Sequence, residues 1–346
     1  MYHTLRSALG RKMHVAKDHT SLQALINTRR YEGDWTLYNT SAGVVRVSTP
    51  WRKMAENLGI HPDEFDHRGW KEIWHPMANT KIMERIRKIW NVDASHELIQ
   101  SWRYGMFDER IVWQVIINDD YALRSLAATG FQPRVVLDIG GHIGTFALLA
   151  SSLWPEATIL SVEPDMRGGR GRDVSELFSL NTAGRPNVTI EKAALIGRLD
   201  DPEADRQQVR KELVEDSRNN GFELGFWGSE EHAEPYLNKP YLKAISVRAL
   251  LEKHKIDTID FLKLDCEGSE TNILRELRDL QKLASIPYIR GEWHGTLAQG
   301  AIASLLSPSH RVQICLRTHG VFGLFRCSRY EKSEIPAHTR NQKVLR

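Results

Sequence analysis

Three short stretches hold residue types whose spacing could do chemistry. The first is Val135–Gly144, VVLDIGGHIG, in which Asp138, Gly140, Gly141 and Gly144 form D-x-G-G-x-x-G around His142. Glycines in such a turn let backbone come close to a ligand, and a helix starting just beyond it offers N–H groups with no intrahelical partner. The second is Phe261–Glu270, FLKLDCEGSE, with Asp265 and Glu267 alternating about Cys266 and with Glu270 as an acid at a helix start. The third is Glu292-Trp293-His294-Gly295. An imidazole with an ordinary pKa near 6.5 is a candidate general base, which gives His294 that role with Glu267 beside it. Asp265, Glu267, Glu292 and His294 could also gather around a divalent metal. We take the site as metal-free, with Asp265, Glu292 and His294 as the ligands of the alternative.

These stretches need elements that bring them together, and from residue 134 the chain alternates strand and helix patterns. Val135–Ile139 reads as a buried parallel strand and Thr145–Leu153 as its helix. Thr158–Val162 reads as a second strand that ends in Glu163-Pro164. Asp173–Leu180 reads as a helix, Val188–Glu191 as a third strand and Ile259–Leu264 as a fourth. Ser269–Leu283 places Ile273, Leu274, Leu277 and Leu280 on one helical face, with Ser269 as a candidate cap. Ile286–Gly291 is the fifth strand and Leu297–Leu306 the next helix. His310–Leu316 and Val321–Cys327 are then separated by too few residues for a crossover, so that pair must be antiparallel. Five crossover-linked strands and a terminal hairpin make a methyltransferase-type sheet; a dehydrogenase sheet would continue in parallel.

On such a sheet the carboxyl ends of the strands face one crevice. Glu163, at the second strand's end, can accept both hydroxyls of an adenosine ribose. Asp138 can orient the glycine loop or attract a cationic cofactor, and His142 can contact it. Trp293 can wall the substrate, and Glu270 reads as a simple helix-capping acid. Carboxylates gathered in the crevice suit the sulfonium of S-adenosylmethionine better than the pyrophosphate of a pyridine dinucleotide.

Composition bounds the rest. A chain of 346 residues, 41% hydrophobic and 26% charged, can bury a large core and hold more than one domain. A net charge of +3 gives no case for nucleic acid, and no apolar run reaches the roughly 18 residues a membrane helix needs. The basic start, Met1–Lys17, reads as a solvated tail. Cys266, Cys315 and Cys327 lack metal spacing and read as reduced thiols in a cytoplasmic setting. Residues 1–130 carry Trp35, Trp51, Trp70, Trp74, Trp90, Trp102 and Trp113 with helical patterns such as Ile82, Ile86, Ile89 and Trp90. We read them as a mostly helical N-terminal domain that builds substrate or dimer surface, its tryptophans as core and not as a base-stacking platform. Residues 131–330 form the second domain, with an insertion at 199–243 that could act as a lid, and 331–346 form a tail.

At these motifs the chain resembles the FkbM family of S-adenosylmethionine-dependent methyltransferases. VVLDIGGHIGTFALLA resembles the family's first motif, SVEPD its ribose-binding strand end, and ISVRALLEKHKIDTIDFLKLDCEGSETNIL its hallmark K-[IL]-D-x-E-G-x-E region. The resemblance implies an α/β, class I methyltransferase (Rossmann-like) seven-stranded sheet with a terminal antiparallel hairpin. It implies O-methylation of a hydroxyl on a small molecule, natural product or sugar, with Gly140, Gly144 and Glu163 at the cofactor and Asp265 near its methionine end. On that basis Gly140–Gly144 carry the amino-acid part, Ala193 and Ala194 flank the adenine, and His294 or Glu267 takes the hydroxyl proton. The alternatives are an RNA or nucleoside methyltransferase, an NAD(P)-dependent oxidoreductase and a non-catalytic scaffold.

Overall fold

The structure, a computed structural model, describes residues 25, 27–68, 79–164, 174–195, 197, 244–266, 268–294, 298–316 and 322–331. The described chain opens with an antiparallel sheet of β1 (Arg29–Glu32), β2 (Trp35–Thr40) and β3 (Gly43–Ser48). Helices α1 (Trp51–Asn57), α2 (Pro62–Arg68), α3 (Asn79–Trp90) and α4 (His96–Val112) follow, and α4 runs on into a π-helical turn, Trp113–Ile117. Ser95 caps α4 by accepting the Leu98 N–H. A short α5 (Leu123–Ala128) leads into the main sheet.

That sheet is built from β4 (Val135–Ile139), β5 (Thr158–Glu163), β6 (Val188–Lys192), β9 (Phe261–Leu264), β10 (Tyr288–His294), β11 (His310–Leu316) and β12 (Phe322–Arg329). Its spatial order is β6-β5-β4-β9-β10-β12-β11. The strands from β6 to β10 pair in parallel, and β12 runs antiparallel to both β10 and β11. This is the class I methyltransferase sheet, and the terminal hairpin lies where the short connection requires it. The order reverses between β4 and β9, which opens a crevice at their carboxyl ends. β7 (Ala194–Leu195) and β8 (Ala244–Ile245) form a separate parallel pair. The insertion at 199–243, the Arg-Gly-rich stretch 165–173, the basic start and the C-terminal tail beyond 331 lie outside the described residues.

Two layers of helix cover the sheet. Helices α8 (Val247–Lys253), α9 (Glu270–Asp279) and α10 (Ala298–Leu306) bury Leu250, Leu274, Leu277 and Ile302 against Leu137, Leu160, Leu262 and Ile289. On the other face α6 (Thr145–Leu153) and α7 (Val174–Asn181) pack in one cluster with Tyr38, Val45 and Val47 of the N-terminal sheet and with Val115 and Ile116. That core is shared across residue 130. Asn181 strengthens the join: its side-chain oxygen accepts the Arg46 N–H at 2.6 Å, while its amide donates to the Arg46 and Ile143 carbonyls at 3.1 and 2.8 Å. A further cluster of α1 to α4 holds Trp51, Phe65 and Trp102, all buried and in ring contact. Trp51 and Trp102 are therefore core, as their sequence context suggests; Trp70 and Trp74 lie outside the described residues. No helix among the described residues is long and apolar enough to cross a membrane.

Candidate active site

The glycine loop after β4 is shaped by contact with its neighbours. Gly140 has φ +81°, and a Cβ there would stand 1.7 Å from the Asp265 carbonyl oxygen. Only a residue without a side chain fits where the loop crosses the end of β9. The N–H groups of Gly140 and Gly141 both donate to the Val162 carbonyl, at 2.9 and 3.1 Å. Gly144, at φ +85°, starts α6.

Beneath the loop lies a buried ion pair. Asp138 is fully buried, accepts the Ser161 hydroxyl at 2.7 Å, and has its other oxygen 3.2 Å from Lys263 Nζ. Lys263, equally buried, also donates to the carbonyls of Ile139 (3.1 Å) and Gly140. Burial works against its charge, but Asp138 and then Asp265 outweigh that and hold the ammonium above its usual range. Asp138 thus orients the loop, and its charge is answered by Lys263 before any cofactor cation arrives.

Glu163 ends β5 half-buried, and its Oε2 accepts the His142 N–H at 2.9 Å. His142 itself sits at φ +47°, with Nε2 3.3 Å from Asp108 Oδ1 of α4 and its ring edge-on to Phe107 at 5.7 Å. Asp108 is fully buried. Pro164 is half-buried beside Glu163; Ala193 is packed into the core and Ala194 is half-buried at the start of β7.

Asp265 follows β9. Its N–H donates to the Ile139 carbonyl, and its Oδ2 accepts the Tyr121 hydroxyl at 2.7 Å and lies 3.9 Å from Lys263 Nζ. Burial would raise its pKa, yet Lys263, His294 and the Tyr121 hydroxyl together hold it below the usual carboxylate range. Asp265 therefore faces the crevice as an anion with 23% of its side chain exposed. Glu267 lies outside the described residues.

Two expectations about the next turn need correction. Ser269 begins α9 in helical conformation and its hydroxyl makes no cap. Glu270 is no ordinary capping acid either. Fully buried, it accepts the N–H groups of Cys266 (3.1 Å) and Gly268 (3.1 Å) and lies 2.9 Å from His294 Nδ1. Burial pushes its carboxyl up, but the His294 ring and the backbone donors more than offset that and hold it low. An ionised carboxylate only accepts, so Nδ1 must carry the proton and Nε2 is the edge that turns toward Glu292 Oε2 (3.7 Å) and Asp265 Oδ1 (4.0 Å). The strand alternation of β10 that turns His294 this way sends Trp293 inward. Trp293 is wholly buried, so it belongs to the core and does not wall a substrate.

The structure thus brings Asp265, Glu292 and His294 to one point and sets Glu163 with the glycine loop beside it. Sequence reasoning missed Lys263, Glu270 as a partner of His294, Tyr121 and Asp108. Lys263 carried a signal, a lone cation inside an otherwise apolar strand; Tyr121 and Asp108 carried none. Cys266 and Cys327 are free thiols.

A sequence profile of the methyltransferase FkbM domain matches residues 138–311, just over half of the chain. No curated protein matches. Among solved structures the chain is similar to a precorrin-6y C5,15-methyltransferase from Geobacter metallireducens GS-15, at 12% identity over 60% of this chain and 87% of that one, TM-score 0.34. It is similar to a methyltransferase from Geobacter sulfurreducens at 15% identity over 76% and 94%, TM-score 0.31. A SAM-dependent methyltransferase from Aquifex aeolicus matches at 12% identity over 60% and 88%, TM-score 0.30.

Proposed function

This chain belongs to the FkbM methyltransferase family, and we propose that it moves a methyl group from S-adenosylmethionine to a hydroxyl of a small molecule, natural product or sugar. The residues fit that cofactor. Glu163 offers a half-buried carboxylate at a strand end for the ribose hydroxyls, and Asp265 offers an anion for a cationic ligand. The loop Gly140–Gly144 would lie under the amino-acid part, and Ala194 near the adenine. When bound, the cofactor supplies an electrophilic methyl on a positively charged sulfur. In the transfer the carbon–sulfur bond breaks, a carbon–oxygen bond forms and the hydroxyl gives up its proton.

The chain's own task is to align the acceptor oxygen and to ease the loss of that proton. The observation that carries the hydroxyl reading is the convergence of His294, Asp265 and Glu292, with the imidazole held by Glu270. Such a cluster activates an O–H that ordinary solvent would leave protonated. The test is incubation with labelled S-adenosylmethionine and pools of candidate acceptors, with mass spectrometry of what gains a methyl. A methyl ether should appear, and His294→Ala should slow its formation by about 10²–10⁴-fold. Methyl groups found only on nitrogen or carbon, or a variant within twofold of the parent, would overturn the reading.

A further inference from the structure

Asp265, Glu292 and His294 come from two adjacent strand ends, and each places one ligand-type atom within 4.8 Å of the others. The gaps around His294 Nε2 are 3.7 Å to Glu292 and 4.0 Å to Asp265. They are slightly wider than the roughly 3–3.5 Å that separates atoms bound to a shared cation at about 2.1 Å. The surroundings already orient each ligand. Glu270 holds Nδ1 of the imidazole, the outer carboxylate that metal-bound histidines use to fix their ring. Tyr121 holds Oδ2 of Asp265, which leaves Oδ1 as the atom toward His294. Two carboxylates with one imidazole between them also make a site whose charge a cation would balance.

We propose that Asp265, Glu292 and His294 bind one divalent transition cation such as Mn²⁺. The imidazole favours such ions over Mg²⁺ and Ca²⁺, which prefer oxygen, and the two carboxylates disfavour ions that seek thiolate. Among the described residues the ligands number three, a set that leaves coordination positions for outside oxygens, as catalytic rather than structural metals do. The cation's role, unlike its binding, rests on the proposed hydroxyl methylation. A coordinated hydroxyl gives its proton to water more readily, and its oxygen is then the nucleophile that takes the methyl. His294 then acts through the cation and not as a base.

The full-length protein, stripped with a chelator, would be titrated with MnCl₂ while free Mn²⁺ is followed by electron paramagnetic resonance. One equivalent should bind saturably. Glu292→Gln and His294→Gln, each checked for an unchanged circular dichroism spectrum, should weaken binding at least tenfold. Protein labelled with ¹⁵N-histidine should show nitrogen coupling to the bound Mn²⁺ in pulsed measurements, which needs no variant to fold. No saturable binding, or equal affinity in both variants, overturns the cation. If methyl transfer persists without it, the proposed reaction survives; if Mn²⁺ binds and no hydroxyl is methylated, the reaction fails and the site stands.

Discussion

At the scale of single residues, the site is held by charges whose partners come from far along the chain. Lys263 neutralises Asp138 and gathers two loop carbonyls, so one buried ammonium fixes the turn that the glycines make possible. Its environment is costly for a charge, and only the paired acids and carbonyls make it tolerable. Asp108 reaches His142, whose own N–H meets Glu163, so the acid proposed for the ribose is positioned from the N-terminal region. Glu163→Ala should weaken S-adenosylmethionine binding by about 1–3 kcal/mol, the loss of charge-assisted hydrogen bonds. Calorimetry checks this, and unchanged affinity would remove Glu163 from the ribose.

At the scale of elements, close crossing decides what each turn can contain. β4 and β9 lie side by side and both leave the sheet at the crevice, so their loops touch. Gly140 is where they meet, and Gly140→Ala faces both a left-handed φ and the Asp265 carbonyl. We expect a loss of at least about 2 kcal/mol in urea unfolding. Gly130, at φ +85° with nothing within 4 Å of a built Cβ, is the control, since its alanine variant carries the backbone strain alone. Equal losses in the two variants would show that the crossing is not what constrains Gly140. The strand β10 makes the same point by alternation: Glu292 and His294 reach the crevice region while Trp293 fills the core between them.

At the scale of the whole molecule, the N-terminal region and the main sheet share a core, and the region's own acids set part of the pH response. Glu109 of α4 lies near Asp66, Tyr38, Arg29 and Arg52. Burial, and then Asp66, push its carboxyl up to about 8 against the pull of the Tyr38 hydroxyl and the arginines. The folded protein therefore holds a proton that the unfolded chain releases near 4.5. Stability should fall as pH rises from about 4.5 to about 8, because over that span the unfolded state binds fewer protons. Glu109→Gln should flatten that part of a plot of Tm against pH. A slope unchanged by the substitution would rule out Glu109 as its source.

The sequence by itself determined the order of strands and helices in the main sheet, the antiparallel final pair, the glycine turn and the acids at strand ends, but not the N-terminal sheet of β1 to β3. These follow from local pattern: apolar runs bounded by turn residues, and a connection too short to cross over. It also identified Asp265, Glu292 and His294 as neighbours, because strand ends on one edge of a parallel sheet must face one crevice. Only the tertiary structure decided that Glu270 grips His294, that Trp293 turns inward, and that Tyr121 and Asp108 belong to the site. Those contacts join residues as far apart as Tyr121 and Asp265, 144 positions along the chain. Periodicity reports which face of an element is buried, and packing alone chooses what lies against it.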